Sequence, residues 1–245
     1  MYDYAGKKLA VMQPYFFPYI GYFSLIQYTD RWIVFDTVQH IRRGWVNRNR
    51  ILAPAKPNGG WQYIALPTEK ASRETPIKEI QVKGSDWQQR ILRQIEHYRK
   101  SAPCYNEVVS FLQRAFSKVS DLNIVRINMS LLEATCEYLS LPFRYEVYSE
   151  MCMPEFRIEK PGDWALKISE HLGVSEYCNP PGGIDLFPRE EWNNKGVKLT
   201  FLESNLPWYS QRREESIMGL SILDVMLFNS PEEASRMIRD YTLYE

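Results

Sequence analysis

Histidine and cysteine are scarce in this chain. Three histidines and four cysteines are spread over 245 residues, and Cys104, Cys136, Cys152 and Cys178 form no C-x-x-C pair. Such spacing excludes a zinc ribbon and offers no disulfide framework. With so few histidines a histidine-rich metal site is not expected either. Cys152, between Met151 and Met153, reads as a small buried hydrophobe rather than a nucleophile. Net charge is missing too: thirty basic residues balance thirty acidic ones. No global field would therefore attract DNA or an anionic membrane surface. Nor does any apolar run approach the ~20 residues that cross a bilayer. The opening residues Met1 to Lys8 carry no apolar signal core and no small-residue cleavage site. A cytoplasmic location is the expectation.

What the chain does have is aromatic residues, 14% of the total, many near the N-terminus and around Trp208-Tyr209. Aromatics dominate buried area in most domains, so as a group they are assigned to the core. Apolar content is ordinary for a globular protein and argues against disorder. The length suits a substantial core. One domain spanning 1–245 is expected, with no internal repeat and no low-complexity linker.

Apolar periodicity and turn residues order the elements. Leu9 to Met12 reads as a strand, Tyr19 to Tyr28 as a helix, and Arg31 to Asp36 as a second strand. Strand, helix, strand over so short a span predicts a βαβ unit with parallel pairing. A polar loop follows from Gln39 to Arg50, then strand-like runs at Trp61 to Leu66 and Ile77 to Val82. From about 85 to 140 the pattern is helical, interrupted at Pro103 and restarted by the capping run Asp121-Leu122-Asn123. Phe143 to Val147 is a strand, Asp163 to Leu172 a helix stopped by Gly173, and Tyr177-Cys178-Asn179 a short strand before Pro180-Pro181-Gly182-Gly183. Val197 to Leu202 is another strand. Helices Ser221 to Phe228 and Pro231 to Tyr241 close the chain. The fold class is α/β: a mostly parallel open sheet with an N-terminal βαβ unit and a helical insertion.

The first strand-to-helix junction, Gln13 to Phe23, holds the densest signal. Pro14 and Pro18 stiffen the connection at both ends. Gly21 would let a ligand or another backbone come close. Gln13, a polar amide between an apolar strand and a proline, needs partners, and a ligand is a natural one. Junctions of this kind are where open α/β sheets bind ligands. The polar loop is the second signal. Arg43, Arg48 and Arg50 supply planar forks for phosphate or carboxylate, while Gln39, Asn47 and Asn49 add amides.

Weaker constellations complete the list. Asp36 and His40 are four apart, and a carboxylate can orient an imidazole for base work. Asn179 and Gly182 lie in a turn that could place amides around an anion, although it lacks the P-loop lysine and the G-x-G-x-x-G spacing. Ser221 with Asp224 reads as a helix cap with its acid three residues on.

Gln13 to Phe23 resembles the opening signature of the WbqC-like family. So do Asp36-Thr37-Val38-Gln39 and Asn47-Arg48-Asn49-Arg50-Ile51. The run Tyr177 to Gly183 with Asp185-Leu186-Phe187 is similar to its Gly-rich turn, and Ser221 to Asn229 to its C-terminal motif. Asn179-Pro180-Pro181 stands where a Ser-Gly pair would be expected. The resemblance spans nearly the whole chain. It implies bacterial O-antigen or surface-polysaccharide clusters, where such proteins have been proposed to transfer glycine to an amino sugar. It also strengthens the case for a role of Ser221 and Asp224.

A second likeness concerns mechanism. Pro18-Tyr19-Ile20-Gly21-Tyr22 sits where nucleotidylyltransferase-like proteins carry a His-x-Gly-His turn around ATP phosphates, and relatives with that fold adenylate a carboxylate and pass it to an amine. Tyr19 and Tyr22 replace both histidines here, and no clear lysine-rich second motif follows.

The leading expectation is an enzyme joining a glycyl-type or other acyl group to a nucleotide-linked amino sugar. Gln13, Tyr19, Gly21 and Tyr22 would hold the activated group or nucleotide. Arg43, Arg48 and Arg50 would stabilise phosphate, and Asp36 or His40 would accept the amine proton. ATP with Mg is the cofactor if adenylation operates; an acyl-thioester on a carrier or a charged tRNA are the other donors. The rival from another class is a sugar-nucleotide-binding or scaffolding protein without catalysis. A third is a protein-interaction module using the aromatic surface near Trp208.

Overall fold

In the computed structural model, residues 3–55 and 60–245 are described. The apolar run behind the first junction forms β1 (Lys8–Met12). Its partner β2 (Arg31–Val34) is fully buried, as a central parallel strand should be. Between them α1 (Ile20–Tyr28) buries every residue from Ile20 to Ile26, and a helix apolar all round belongs inside. The remaining strands of this sheet are β5 (Tyr145–Val147), β6 (Glu176–Asn179), β7 (Lys198–Ser204) and β8 (Tyr241–Tyr244). The order is β5-β2-β1-β6-β7-β8, parallel throughout except that β8 runs antiparallel to β7.

Side chains alternate across this sheet and so divide the core in two. Ala10, Trp32, Val34, Cys178 and Leu202 face α1 and the other helices on that side. These are α2 (Trp87–Gln94), α3 (Tyr105–Ser117), α4 (Ile124–Tyr138), α7 (Ile222–Phe228) and α8 (Pro231–Ile238). Leu9, Val11, Ile33, Tyr177 and Phe201 face α5 (Asp163–Leu172) and α6 (Arg189–Asn194). The chain therefore leaves β1 toward one face through α1 and leaves β6 toward the other through α6. Adjacent parallel strands whose exits diverge leave a crevice at their carboxyl ends, and this is where open α/β sheets bind.

Beside the sheet stands an antiparallel hairpin of β3 (Arg48–Leu52) and β4 (Trp61–Ala65). Its sequence Arg48-Asn49-Arg50 reads as loop, yet it is strand, because the arginines lie over aromatic rings rather than in water. Arg48 sits 3.9 Å above Tyr63 and Arg50 5.3 Å above Trp61.

Other departures have local causes. Ile77 to Val82 is a 3-10 turn over Ile77–Glu79 followed by isolated bridges from Gln81 to Asn123 and Val82 to Thr68, not a strand. The last helix stops at Ile238, three residues short of Tyr241, where the chain turns to add β8 to the sheet edge. Cys152 is exposed rather than buried, and none of the four cysteines is bonded to another. No helix among the described residues is long and apolar enough to cross a membrane.

Candidate functional site

The junction after β1 enters an apolar crevice, so each of its carbonyls and amides needs a partner. The partners come from distant elements. Asn128, buried on α4, donates to the carbonyls of Pro14 and Val46 at 2.8 and 2.7 Å. Asn49 on β3 donates to Phe16 and Phe17 at 3.2 and 2.9 Å. The Phe16 amide donates to Trp45 O at 2.9 Å. Ser221, the N-cap of α7, donates its hydroxyl to Phe17 O at 2.8 Å and accepts from the Leu223 amide. The Ile222 amide donates to Pro18 O at 2.8 Å. Phe17 is thereby held at φ +37°, a left-handed conformation that a side chain adopts at a cost of order 1–3 kcal/mol.

Two cavities open off this junction and share Met12, Tyr15 and Pro180 as a common wall. The first, of about 320 Å³, is lined by Tyr15, Tyr19, Trp45, Asn49 and Arg50 over a floor that includes Tyr22. Burial pushes the Tyr15 and Tyr19 phenols up, with Tyr19 adding to the effect at Tyr15, so both stay protonated donors at neutral pH. Arg50 donates Nη2 to Gly219 O at 3.3 Å, and its buried Nε has no acceptor. No carboxylate pairs with Arg50 among the described residues.

The second cavity, of about 330 Å³, is walled by Phe35, Trp164, Tyr177 and Phe187, with Gln13 and Asn179 as its amides; no charged side chain among the described residues lines it. Asn179 accepts from Tyr177 Oη at 3.0 Å and donates to Pro180 O at 2.9 Å. The side-chain amide of Gln13 has no protein partner among the described residues, and its carbonyl accepts from Tyr22 Oη at 2.8 Å.

The expected site residues therefore divide. Gln13, Tyr19, Tyr22, Arg50, Asn179 and Gly182 meet at the two cavities. Tyr22 offers only its ring, since its hydroxyl is committed to Gln13 O. Gly21 has a different use from the one expected: the Tyr19 ring occupies the space a Cβ would need, with Cε2 2.5 Å away. Arg48 lies on Tyr63 and lines neither cavity. Arg43 is exposed on a turn at φ +59°. Gln39 donates to Arg73 O, and Asn47 to Leu66 O at 3.4 Å, both away from the cavities.

Asp36 and His40 do not form the expected pair. Asp36 accepts from the Ser149 hydroxyl at 2.6 Å and the Ser149 amide at 3.1 Å, which locks the end of β2 to the turn after β5. Burial lowers the His40 pKa, with Arg42 reinforcing the shift, and Nε2 has no partner. Neither residue lines either cavity.

Ser221 caps α7 as expected, but Asp224 does not complete the cap. It is fully buried and accepts from Tyr98 Oη at 2.5 Å, Tyr209 Oη at 2.6 Å and Gln211 Nε2 at 3.0 Å. Burial pushes its carboxyl up to about 6, against the pull of those donors. Through Gln211, which exchanges hydrogen bonds with Ile217, the acid anchors the segment carrying Gly219 and hence the carbonyl that holds Arg50.

Several residues that build the site were not singled out from the sequence. Trp45, Tyr15 and Trp164 had no signal beyond being aromatic. Asn128 had one: a lone amide on the apolar face of a helix whose neighbours Ile124, Ile127 and Leu131 are all buried.

The sequence model of the WbqC-like protein family matches residues 13–236, a span that contains the Asp224 network and the lining residues of both cavities except Val11 and Met12. The uncharacterized protein Rv1507c of Mycobacterium tuberculosis (strain ATCC 25618 / H37Rv) is 27% identical over 235 residues, covering 95% of this chain and 98% of that protein. No solved structure gives a significant match.

Proposed function

Because this chain belongs to the WbqC-like protein family, we propose that it is an amide-forming transferase that joins an acyl or aminoacyl group to the amine of a nucleotide-linked amino sugar in surface-polysaccharide biosynthesis. The observation that carries this reading is the pair of adjoining cavities with the shared wall Met12, Tyr15 and Pro180. Two reactants seated on either side of Tyr15 would meet at the carboxyl end of β1, and holding them there converts a bimolecular reaction into a unimolecular one. The amine nitrogen attacks the acyl carbon and a C–N bond forms. The bond from that carbon to its leaving group (adenylate, thiol or tRNA hydroxyl) breaks, and the ammonium loses one proton. If the donor is a free acid, ATP first supplies the adenylate and pyrophosphate leaves. Tyr15 and Tyr19, kept protonated by burial, are placed to donate to the oxyanion formed during attack.

A second reading, a sugar-nucleotide-binding protein without catalysis, is favoured by one observation: no carboxylate or imidazole among the described residues lines either cavity, so the base would have to come from substrate or solvent. A thermal-shift panel of ATP, UDP-sugars and dTDP-amino sugars, each with and without glycine, separates the two. A ligand at 100 times its Kd adds about 2.7 kcal/mol to stability, well within range of the measurement. Stabilisation by a nucleotide amino sugar followed by amide product with any one donor supports the transferase. Stabilisation with no product from any donor supports the binding protein, and no response to any nucleotide sugar overturns both.

A further inference from the structure

The two cavities differ in charge, and the difference assigns a substrate to one of them. We infer that the Arg50 cavity takes a monocarboxylate with an apolar, benzene-sized body, and that the acyl donor is of this class rather than glycine. The inference rests on the transferase reading for the word donor; the binding preference itself rests on the cavity.

Among the described residues Arg50 is the one charged side chain lining that cavity. It is half-buried between the rings of Trp45 at 5.6 Å and Trp61 at 5.3 Å. Its buried Nε–H has no acceptor, and no carboxylate of the described residues pairs with it. A lone guanidinium whose outer nitrogens make one protein hydrogen bond, Nη2 to Gly219 O, matches one singly charged anion, and a planar carboxylate is of that kind. A diphosphate brings more negative charge than one cation offsets, and no second arginine helps, since Arg48 is stacked on Tyr63 outside the cavity.

Asn49 aside, whose amide is committed to Phe16 O, Phe17 O and the Arg50 N–H, the rest of the wall is Met12, Pro18, Pro180 and the rings of Tyr15, Tyr19, Tyr22 and Trp45. Such a surface is covered by hydrocarbon, not by the single methylene of glycine. Size agrees: a 150 Å³ apolar cavity holds benzene, and this one has about 320 Å³, room for a ring and its carboxylate. No acidic side chain among the described residues lines it to meet an α-ammonium. The neighbouring cavity, with aromatic walls, two amides and no charge, is left for an uncharged polar ring such as a sugar.

The test uses sodium phenylacetate, phenylacetamide, glycine and UDP-glucosamine with the full chain, read by ligand-observed saturation-transfer NMR and by titration calorimetry. Phenylacetate is expected to bind at least about tenfold more tightly than its uncharged amide, the difference made by one charge-assisted pair with Arg50. Glycine in equal amount should not displace it. In Arg50→Gln, checked for a native melting curve, phenylacetate affinity should fall about tenfold while Trp164→Leu in the other cavity leaves it unchanged. Should Arg50→Gln fail to fold, the acid-against-amide comparison on the natural chain decides alone. Equal binding of acid and amide, or displacement by glycine, overturns the inference. UDP-glucosamine distinguishes the two claims. If it binds while phenylacetate does not, the carboxylate assignment fails and the transferase reading survives. If phenylacetate binds as expected and no nucleotide sugar does, the cavity's preference stands and the transferase reading falls.

Discussion

The loops that leave β1 and β6 face each other across one crevice, yet they are held by opposite means. The loop after β1 is pinned from outside: α4, β3 and α7 each send a side chain or amide to one of its carbonyls. Among the described residues the loop from Pro180 to Phe187 makes hydrogen bonds only to itself and to Asn179, the residue leading into it. What positions this second loop is close packing, because Gly162 lies so near that an added Cβ would stand 2.1 Å from Leu186 O. Gly182, Ile184 and Leu186 remain exposed. Hydrogen bonds from three remote elements specify one geometry, whereas a loop resting on a glycine can shift without leaving polar groups unpaired. The Arg50 cavity is thus bounded mainly by the first kind of wall and the uncharged cavity by the second.

The sharpest way to break this contrast is to remove the remote clamp. Asn128→Ala strands the carbonyls of Pro14 and Val46 in the core, at about 1–3 kcal/mol each, so a loss of about 4 kcal/mol is expected in urea unfolding. A loss below about 1 kcal/mol would show that the first loop holds itself.

Next is the anchor of α7. The Asp224 carboxyl titrates near 6 when folded against 3.8 ordinarily, so the native state binds this proton more tightly than the unfolded chain. Its contribution to stability falls as pH rises from about 4 to 6 and is flat above, a change of at most about 3 kcal/mol. The stability difference between the natural chain and Asp224→Asn, followed by urea midpoints from pH 4 to 7, should narrow as pH rises. A constant difference would mean that the acid titrates normally.

Gly162→Ala tests the second loop. The new methyl meets a backbone oxygen that cannot swing aside, so a cost of about 2 kcal/mol is expected from overpacking. Ligands of the uncharged cavity should weaken more than phenylacetate, and equal weakening of both would erase the distinction between the walls. Smallest is Gly183→Ala. Its Cβ would meet the tip of the Asn179 side chain, Nδ2 at 2.6 Å, and an amide tip can move. Stability should change by less than about 1 kcal/mol, while affinity for a sugar in that cavity drops as Asn179 is displaced. A calorimetric titration showing no change would remove Asn179 from the site.

Much of this architecture was legible because it is written locally. The run Leu9 to Met12, the stop at Pro14 and the apolar stretch behind Gly21 define β1, the junction and α1 without tertiary information. Gly173, at φ +66°, ends α5 where its lack of a Cβ said it would. What was hidden depends on residues far apart in the chain. Arg48-Asn49-Arg50 becomes strand only because Tyr63 and Trp61 lie opposite. Asp36 turns to Ser149 rather than to His40 because β5 lies beside β2. Tyr241 joins a strand because β7 offers a free edge. For the site the pattern repeats. Gln13 was marked by the oddity of an amide between apolar residues, whereas nothing near Arg50 in sequence told it apart from Arg48.

The placement of β1 also sets the order in which the chain can mature. This strand is central, paired on one side with β2 and on the other with β6, so that Leu9 lies between Arg31 and Tyr177. On a ribosome adding about 5–20 residues per second, the first neighbour arrives almost at once and the second on the order of ten seconds later. Until then the nascent βαβ unit presents an unpaired, apolar strand edge of the kind that recruits stray strands. Both cavities lie along that seam. The protein therefore completes its crevice only after β6 has been made, and until then β1 is the strand whose edge most needs a chaperone.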